Sequence, residues 1–389
     1  MSWTALGGGD HGGNDWIINS NTNIAGVHKN IGEFRIANNR TATVPTGNQF
    51  RGVQIEADII YINGTLSASG AGFPGGNGGG GRRSVQNPNC GESGFTGNSG
   101  TANGLGSGGG GGPGGSTPSD GLNTGCRFKN GVSGGNGLNG AYGNLTQNLT
   151  VLAGSGGGGA GGGSSGSRDG NNLGFPGGTG GGGGGGGPGG GRILLISKSF
   201  IFITGKILSL GTRGGNGTNG LLADTNGSRW QTVNGGNGGA GTISGNGAGG
   251  NGVASSSSTN QVEGGWSGTV GGNGGTGGLG SGGGVLLECR RTLDISSTGE
   301  INVGAGTVSG VLKIKARSEE IDQNAILPTS TRIYTAPSAI NANFKFSGGV
   351  LGPNGKIYGI PYNATDILVI ENKVIKSTPD PWRPELNKF

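Results

Sequence analysis

The pattern of Gly52-Val-Gln-Ile-Glu-Ala-Asp-Ile-Ile-Tyr-Ile-Asn-Gly-Thr-Leu-Ser-Ala-Ser-Gly70 recurs, in diverged form, further along this chain. Its second copy is Leu194-Leu-Ile-Ser-Lys-Ser-Phe-Ile-Phe-Ile-Thr-Gly-Lys-Ile-Leu-Ser-Leu-Gly211. At one constant offset Val53 aligns with Leu194, Ile55 with Ile196, Ile60 with Ile201 and Ile62 with Ile203. Gly64 then meets Gly205, Leu66 meets Ile207 and Gly70 meets Gly211. Alternate residues are apolar, the period of a half-buried strand. Gly64 and Gly205 punctuate the corners, where glycine tolerates backbone angles that other residues avoid.

Working outward, three weaker copies follow the same logic. Phe34/Ile36 with Ala42/Val44 precede the first block. Val285/Leu287/Cys289, Leu293/Ile295 and Ile301/Val303 form another, with about two residues inserted at a corner, and Leu312/Ile314/Ala316 with Ile321 form the last. Repeats of this size stack as a parallel β-solenoid, each rung burying its inward row against its neighbours. The expected fold is therefore all-β and otherwise irregular: a solenoid spine at 31–327, with rungs at 31–70, 192–211 and 285–327. Residues 1–30 are expected to be a cap or attachment segment, and 328–389 a small β module. Segments 71–191 and 212–284 leave from equivalent corners, so they read as insertions and not as linkers between domains.

Those insertions hold most of the 102 glycines of this 389-residue chain, and glycine loses more backbone entropy on ordering than any other residue. Gly174-Phe-Pro-Gly-Gly-Thr echoes Gly72-Phe-Pro-Gly-Gly-Asn, and Gly-Gly-Asn-Gly begins at 75, 134, 214, 235, 249 and 271. Flexible linker is the usual reading of such composition. Collagen needs a strict Gly-X-Y period, which the uninterrupted glycines Gly180–Gly187 exclude. The ordered alternative is an array of extended helices of polyproline II shape, with three residues per turn and no internal hydrogen bonds. Backbone groups then bond to neighbouring runs, and glycine permits the close approach. Asn within Gly-Gly-Asn-Gly is expected to cap turns with its side-chain amide.

These runs alternate with polar loops such as Arg82–Leu105 and Thr117–Asn148. In that style the region 70–285 resembles the adhesins at the long-tail-fibre tips of T-even-like phages. The resemblance implies a polyglycine II sandwich that displays receptor-binding loops at its end. The rungs are not part of that family's pattern. Gly349–Ile370 looks like a single blade-type repeat of propeller-like surface proteins. A closed propeller needs several blades, so a β-hairpin module is expected there.

Charged residues are only 12% of the chain and the net charge is +6. The densest basic spots are the pairs Arg82-Arg83 and Arg290-Arg291, unlike the clustered, aromatic-interleaved face of a nucleic-acid binder. No run approaches the ~18 apolar residues of a membrane span. The N-terminus has neither the basic nor the apolar region of a secretory signal, so the expected location is a virion surface or the cell exterior, reached without one. Expected partners are other virion or fibre subunits in an oligomer and a host-surface protein or glycan, with no nucleic acid and no membrane insertion.

No catalytic constellation, cofactor motif or metal-ligand spacing stands out. His11 and His28 lack ligand partners at useful spacing, and Asp10-His11 reads as a solvated turn. Glu56/Asp58 and Glu319/Glu320 are the close carboxylate pairs near rungs, which leaves a glycan-active enzyme as a minor alternative. An ice-binding protein is another, though it would need a regular row of Thr or Ala. A purely structural virion or fibre subunit is the third. Cys90 and Cys126 flank the glycine stretch 106–115 and fit one bridge or two free thiols equally, while Cys289 reads as a small core residue. Asn-X-Ser/Thr sequences occur at Asn39, Asn63, Asn144, Asn148, Asn216, Asn226 and Asn363, and matter only in a glycosylating host. The candidate contacts are the aromatic and arginine side chains of the polar loops: Arg82, Arg83, Phe95, Phe128, Tyr142, Trp230 and Trp266. Exposed groups of these types are the usual anchors of interfaces.

Overall fold

Long strands follow one another in parallel, each beside the equivalent strand of the preceding repeat. The computed structural model describes residues 3–80, 95–102, 108, 111–112, 133–142, 150–159, 182–219, 273–305, 308–328, 331–333, 346–351, 357–361 and 368–370. These are all-β, with parallel sheets and no helix among the described residues.

The first layer holds β1 (Gly8–Asp10), β2 (Trp16–Ile18) and β3 (Thr22–Asn23). The next two layers are β4 (Gly26–Ile36) with β5 (Thr41–Thr43), and β6 (Gly52–Ile62) with β7 (Thr65–Ser67). Then come β8 (Arg192–Ile203) with β9 (Lys206–Leu208), and β10 (Gly284–Cys289) with β11 (Thr292–Ile295) and β12 (Glu300–Asn302). A small hairpin, β13 (Gly304–Ala305) and β14 (Val308–Ser309), leads to β15 (Val311–Lys315), β16 (Ser318–Ile321) and β17 (Thr331–Ile333). Last come β18 (Phe346–Leu351), β19 (Ile357–Pro361) and β20 (Leu368–Ile370), a three-stranded antiparallel sheet in the expected C-terminal module.

The long strands make one sheet and the short strands β3, β5, β7, β9 and β12 a second. Columns of like residues run through the layers. Phe34, Ile60, Ile201 and Leu293 are successive partners, as are Ile36, Ile62, Ile203 and Ile295, and every one is buried. Ala42, Leu66, Ile207 and Ile301 form the matching column of the short sheet. Before β12 the chain is two residues longer than before β9, as the sequence pattern indicates: 296–299 stand against 204–205. Cys289 is buried, as a core residue should be.

The register differs from the constant offset in one respect. Val53 pairs with Ile193, not Leu194, and Ile55 with Leu195, not Ile196. A bulge separates the two halves of β8: Asp58 alone on β6 stands opposite Lys198 and Ser199. Ser197 holds it, its hydroxyl donating to the Asp58 carbonyl at 2.8 Å and accepting the Ser199 N–H at 3.1 Å. A bulge adds one residue and so flips the inward set. Within residues 1–30, Trp16 and Ile18 continue the Phe34 and Ile36 columns by one layer.

The glycine runs pair through their backbones with a period of three. Gly183, Gly186 and Gly189 donate to the carbonyls of Gly79, Gly76 and Phe73. Gly184, Gly187 and Gly190 donate to Gly275, Gly278 and Ser281. The carbonyls of Gly182, Gly185 and Pro188 accept from Thr218, Gly215 and Thr212. Runs 150–159 and 182–191 lie inside and are buried almost throughout; the outer runs carry side chains on the rows that face solvent, such as Arg213 and Asn216 or Asn273 and Thr276. Where an inner run is enclosed by other runs glycine prevails: 182–191 is broken only by Pro188, and 154–159 only by Ser155. A Cβ at Gly186 would meet the Gly157 carbonyl, at Gly189 that of Gly154, and at Gly187 that of Thr212. Proline fits one row of three: Pro188 and Pro74 lack an N–H, and their carbonyls accept from Thr212 and Thr101.

Two outcomes check this packing. Leu195→Asp should cost about 4 kcal/mol or more by burying an unpaired charge. Ile196→Lys, facing outward between Glu56 and Glu288, should leave the denaturation midpoint nearly unchanged. Gly186→Ala should cost about 1–3 kcal/mol by overpacking, whereas Gly304→Ala, whose Cβ finds its nearest neighbour at 3.4 Å, should leave the thermal midpoint in place.

Candidate binding surface

Whether a pair of runs is parallel or antiparallel follows from its register, and registers show which ends lie together. Pairs 183–79, 186–76 and 189–73 are antiparallel, while 184–275, 187–278 and 190–281 are parallel. Runs 72–80, 150–159 and 211–219 thus lead away from the β-sheets, and 95–102, 133–142, 182–191 and 273–283 lead back. At the near end Gly191 N–H donates to Ala68, Gly283 to Ser209 and Gly284 to Leu152, tying the array to the sheets. Arg51 reinforces this end, its guanidinium 4.2 Å from the Phe73 ring centre and 3.1 Å from the Gly72 carbonyl.

At the far end the last residues of the runs bond to one another. Gly183 donates to Gly79, Phe95 to Gly80, Gly112 to Gly159, Gly134 to Asn273, and Thr218 to Gly182. The chain leaves the runs here at 80, 112, 159 and 219, and rejoins them at 95, 133, 182 and 273.

Arg82, Arg83, Phe128, Trp230 and Trp266, with Cys90 and Cys126, lie outside the described residues; all belong to connections that begin and end at this far end. Phe95 is at that end and 40% exposed. Parts of the supposed loops are themselves runs: 95–102 pairs with 74–80, and 133–142 with 273–279.

Tyr142 is a correction. Expected to be an exposed anchor, it is 6% exposed and packs at the near end with Val151, Leu286 and Val311. Its hydroxyl donates to the Leu152 carbonyl at 3.1 Å and accepts the Leu152 N–H at 2.9 Å. Burial pushes its pKa up to about 12, against the opposing Leu152 N–H. The core denied to these loops by their composition is borrowed from the outer face of β10 and β15. Lys313 on the same face is fully buried and donates to the Thr150 carbonyl at 2.9 Å.

Two further aromatic groups lie on or beside the strands, away from the polar loops. Tyr61 stacks on Phe202 at 5.0 Å and Phe202 on Phe200 at 5.8 Å, along the outer face of the long sheet. The Arg35 guanidinium lies 4.3 Å from the Tyr61 centroid, and that of Arg291 lies 5.7 Å from Phe200. Outward positions of neighbouring parallel strands stack in register, so the Tyr61–Phe202 pairing was implicit in the repeat. The second group is Trp3, His11, Trp16 and His28. His11 is no solvated turn: it is 3% exposed, stacked on Trp3 at 3.9 Å, with Nε2 3.1 Å from His28 Nδ1. His28 continues the Ile55–Leu195 column and is fully buried. Its Nε2 faces the Ala25 carbonyl at 3.2 Å, an acceptor only, so Nε2 carries the proton and His11 Nε2–H donates to Nδ1. Among the described residues no group of three or more His, Cys, Asp or Glu is arranged to hold a metal ion.

No protein-family model matches this chain, and no curated protein or solved structure resembles it significantly.

Burial depresses the pKa of His28 to about 4, with the Ala25 carbonyl opposing. The folded state therefore prefers the neutral ring. Its stabilising contribution is complete above the unfolded value near 6.5 and is lost as pH falls from there towards 4. Denaturation midpoints should fall across that window by the equivalent of about 3 kcal/mol. His28→Leu, which fits the column, should flatten this part of the pH dependence.

Proposed function

We propose that this chain is a non-enzymatic surface protein of a virion, a fibre, spike or tail component that binds a host-surface receptor through segments displayed on a polyglycine II scaffold. The sheets are then the coils of a short β-solenoid, and the glycine runs are extended three-residue-per-turn helices packed side by side. The observation that carries the reading is the gathering of the run ends at 80, 95, 112, 133, 159, 182, 219 and 273 away from the sheets.

Hydrogen bonds repeating every third residue are what a helix with three residues per turn and no internal bonds must make. At ~3.1 Å per residue the run Gly72–Gly80 would hold its far end about 25 Å from the spine. The array buries glycine backbone and offers little with which to tell partners apart. Selectivity then falls to the segments 81–94, 113–132, 160–181 and 220–272, which supply Arg82, Arg83, Phe128, Trp230 and Trp266, with Phe95 at their base. A receptor protein or glycan, engaged by aromatic and guanidinium groups, fits that chemistry.

Replacing 81–94 with a short Gly-Ser turn, while keeping the run 95–102, tests this. Particle assembly and the thermal midpoint should be unchanged, and adsorption to host cells should fall at least tenfold, the equivalent of one anchor's loss of ~1.4 kcal/mol or more. Normal adsorption after each of the four segments is replaced in turn would refute receptor binding. Lost assembly would make the segments subunit contacts, and the protein a structural part.

A further inference from the structure

We propose that Asn136 and Asn139 seal an edge of the glycine array that would otherwise take a glycine run from a second copy of this chain. The inference rests on the pairing of the runs and does not depend on receptor binding.

The hydrogen-bond donors of run 273–283 fall into three rows. Gly274, Gly277 and Gly280 donate to the carbonyls of Thr218, Gly215 and Thr212. Gly278 and Ser281 donate to Gly158 and Ser155. The third row, Thr276 and Leu279, has no carbonyl of another run as acceptor among the described residues. Instead Asn136 Oδ1 accepts the Thr276 N–H at 2.9 Å and bonds the Thr276 hydroxyl at 3.1 Å. Asn139 Oδ1 accepts the Leu279 N–H at 2.9 Å.

A carboxamide oxygen is chemically the same acceptor as a peptide carbonyl. The spacing of the two asparagines is the three-residue period by which the runs bond one another. Each therefore stands where the carbonyl of a further run would stand. The backbone beneath them is already engaged differently, since Gly137 and Gly140 donate to the carbonyls of Thr276 and Leu279. The two asparagines and Thr276 are exposed to solvent.

Without the two asparagine side chains, the edge presents the Thr276 and Leu279 N–H groups three residues apart, beside the side chains of Thr276 and Leu279 themselves. Gly183, Gly186 and Gly189 present donors at the same spacing to run 73–79. Its complement is a segment able to bring bare carbonyls close at the same period, which means a glycine run. The occupant that meets this requirement is a run of a second copy. Unpaired backbone edges invite such addition, and proteins block it with polar side chains. The Gly-Gly-Asn-Gly motif thus carries two functions at 134–137: its glycines pair within the array, and its asparagine ends it.

The test uses the full chain with two double variants. Asn136→Gly/Asn139→Gly removes acceptor and bulk; Asn136→Asp/Asn139→Asp keeps an acceptor oxygen and adds charge. Amide hydrogen exchange is read at Thr276 and Leu279 in dilute protein, and mass by sedimentation across a concentration series. The glycine variant should exchange roughly tenfold faster at those two amides and form dimers or larger species as concentration rises. The aspartate variant should retain protection and the wild-type mass. Unchanged exchange in the glycine variant overturns the capping; faster exchange without association overturns the sealing, as does association of the aspartate variant. If the glycine double variant does not fold, Asn139→Gly alone is judged by the same two readouts.

Discussion

The described glycine runs depend on the hydrogen bond between one glycine backbone and the next run. A single such bond contributes only about 1 kcal/mol net, and ordering each residue costs of similar size. The balance closes only if nearly every N–H and C=O finds a partner and the runs approach without side chains between them. Run 182–191 meets both demands. Its amides reach two neighbouring runs and its carbonyls accept from others, while a Cβ at Gly184, Gly186, Gly187 or Gly189 would strike a neighbour's backbone. The glycines are therefore a packing requirement as strict as any in an apolar core.

The array could not stand without the sheets, and the sheets shape it in return. Parallel columns of isoleucine and leucine fix where residues 71, 191, 210 and 284 lie, and so set the spacing at which the runs begin and end. Gly191 passes so close to Ala68 and Ala71 that only small residues fit there. The outer face of β10 and β15 supplies Leu286, Val311 and Lys313 as a floor for Tyr142 and Thr150. A mobile insertion would need no such floor.

Much of this was legible in the sequence, and the failures have physical causes. Ile60, Ile62, Ile201 and Ile203 were readable because alternation with polar or aromatic neighbours fixes their phase. Ile193-Leu-Leu-Ile196 was not, because four consecutive apolar residues carry no alternation; the offset was extended through them and landed one residue out. Nothing in Ser197-Lys-Ser199 announces the bulge. His28 was hidden because a histidine in a column of apolar residues looks polar until its ring partner His11 is placed. The runs 95–102 and 133–142 were taken for loops because an outer run needs glycine on only the rows that face its neighbours. Tyr142 was misplaced for the same reason: composition shows what a segment contains, not which sheet face lies beneath it.

The most direct test of the central constraint is amide hydrogen exchange resolved at Gly183, Gly184, Gly186, Gly187, Gly189 and Gly190. These six donate to two different runs, so a packed array requires all six to be protected together, within about an order of magnitude of the core amides of β8. Exchange at the rate of an unstructured glycine peptide, with β8 still protected, would contradict the array and leave these glycines as linkers.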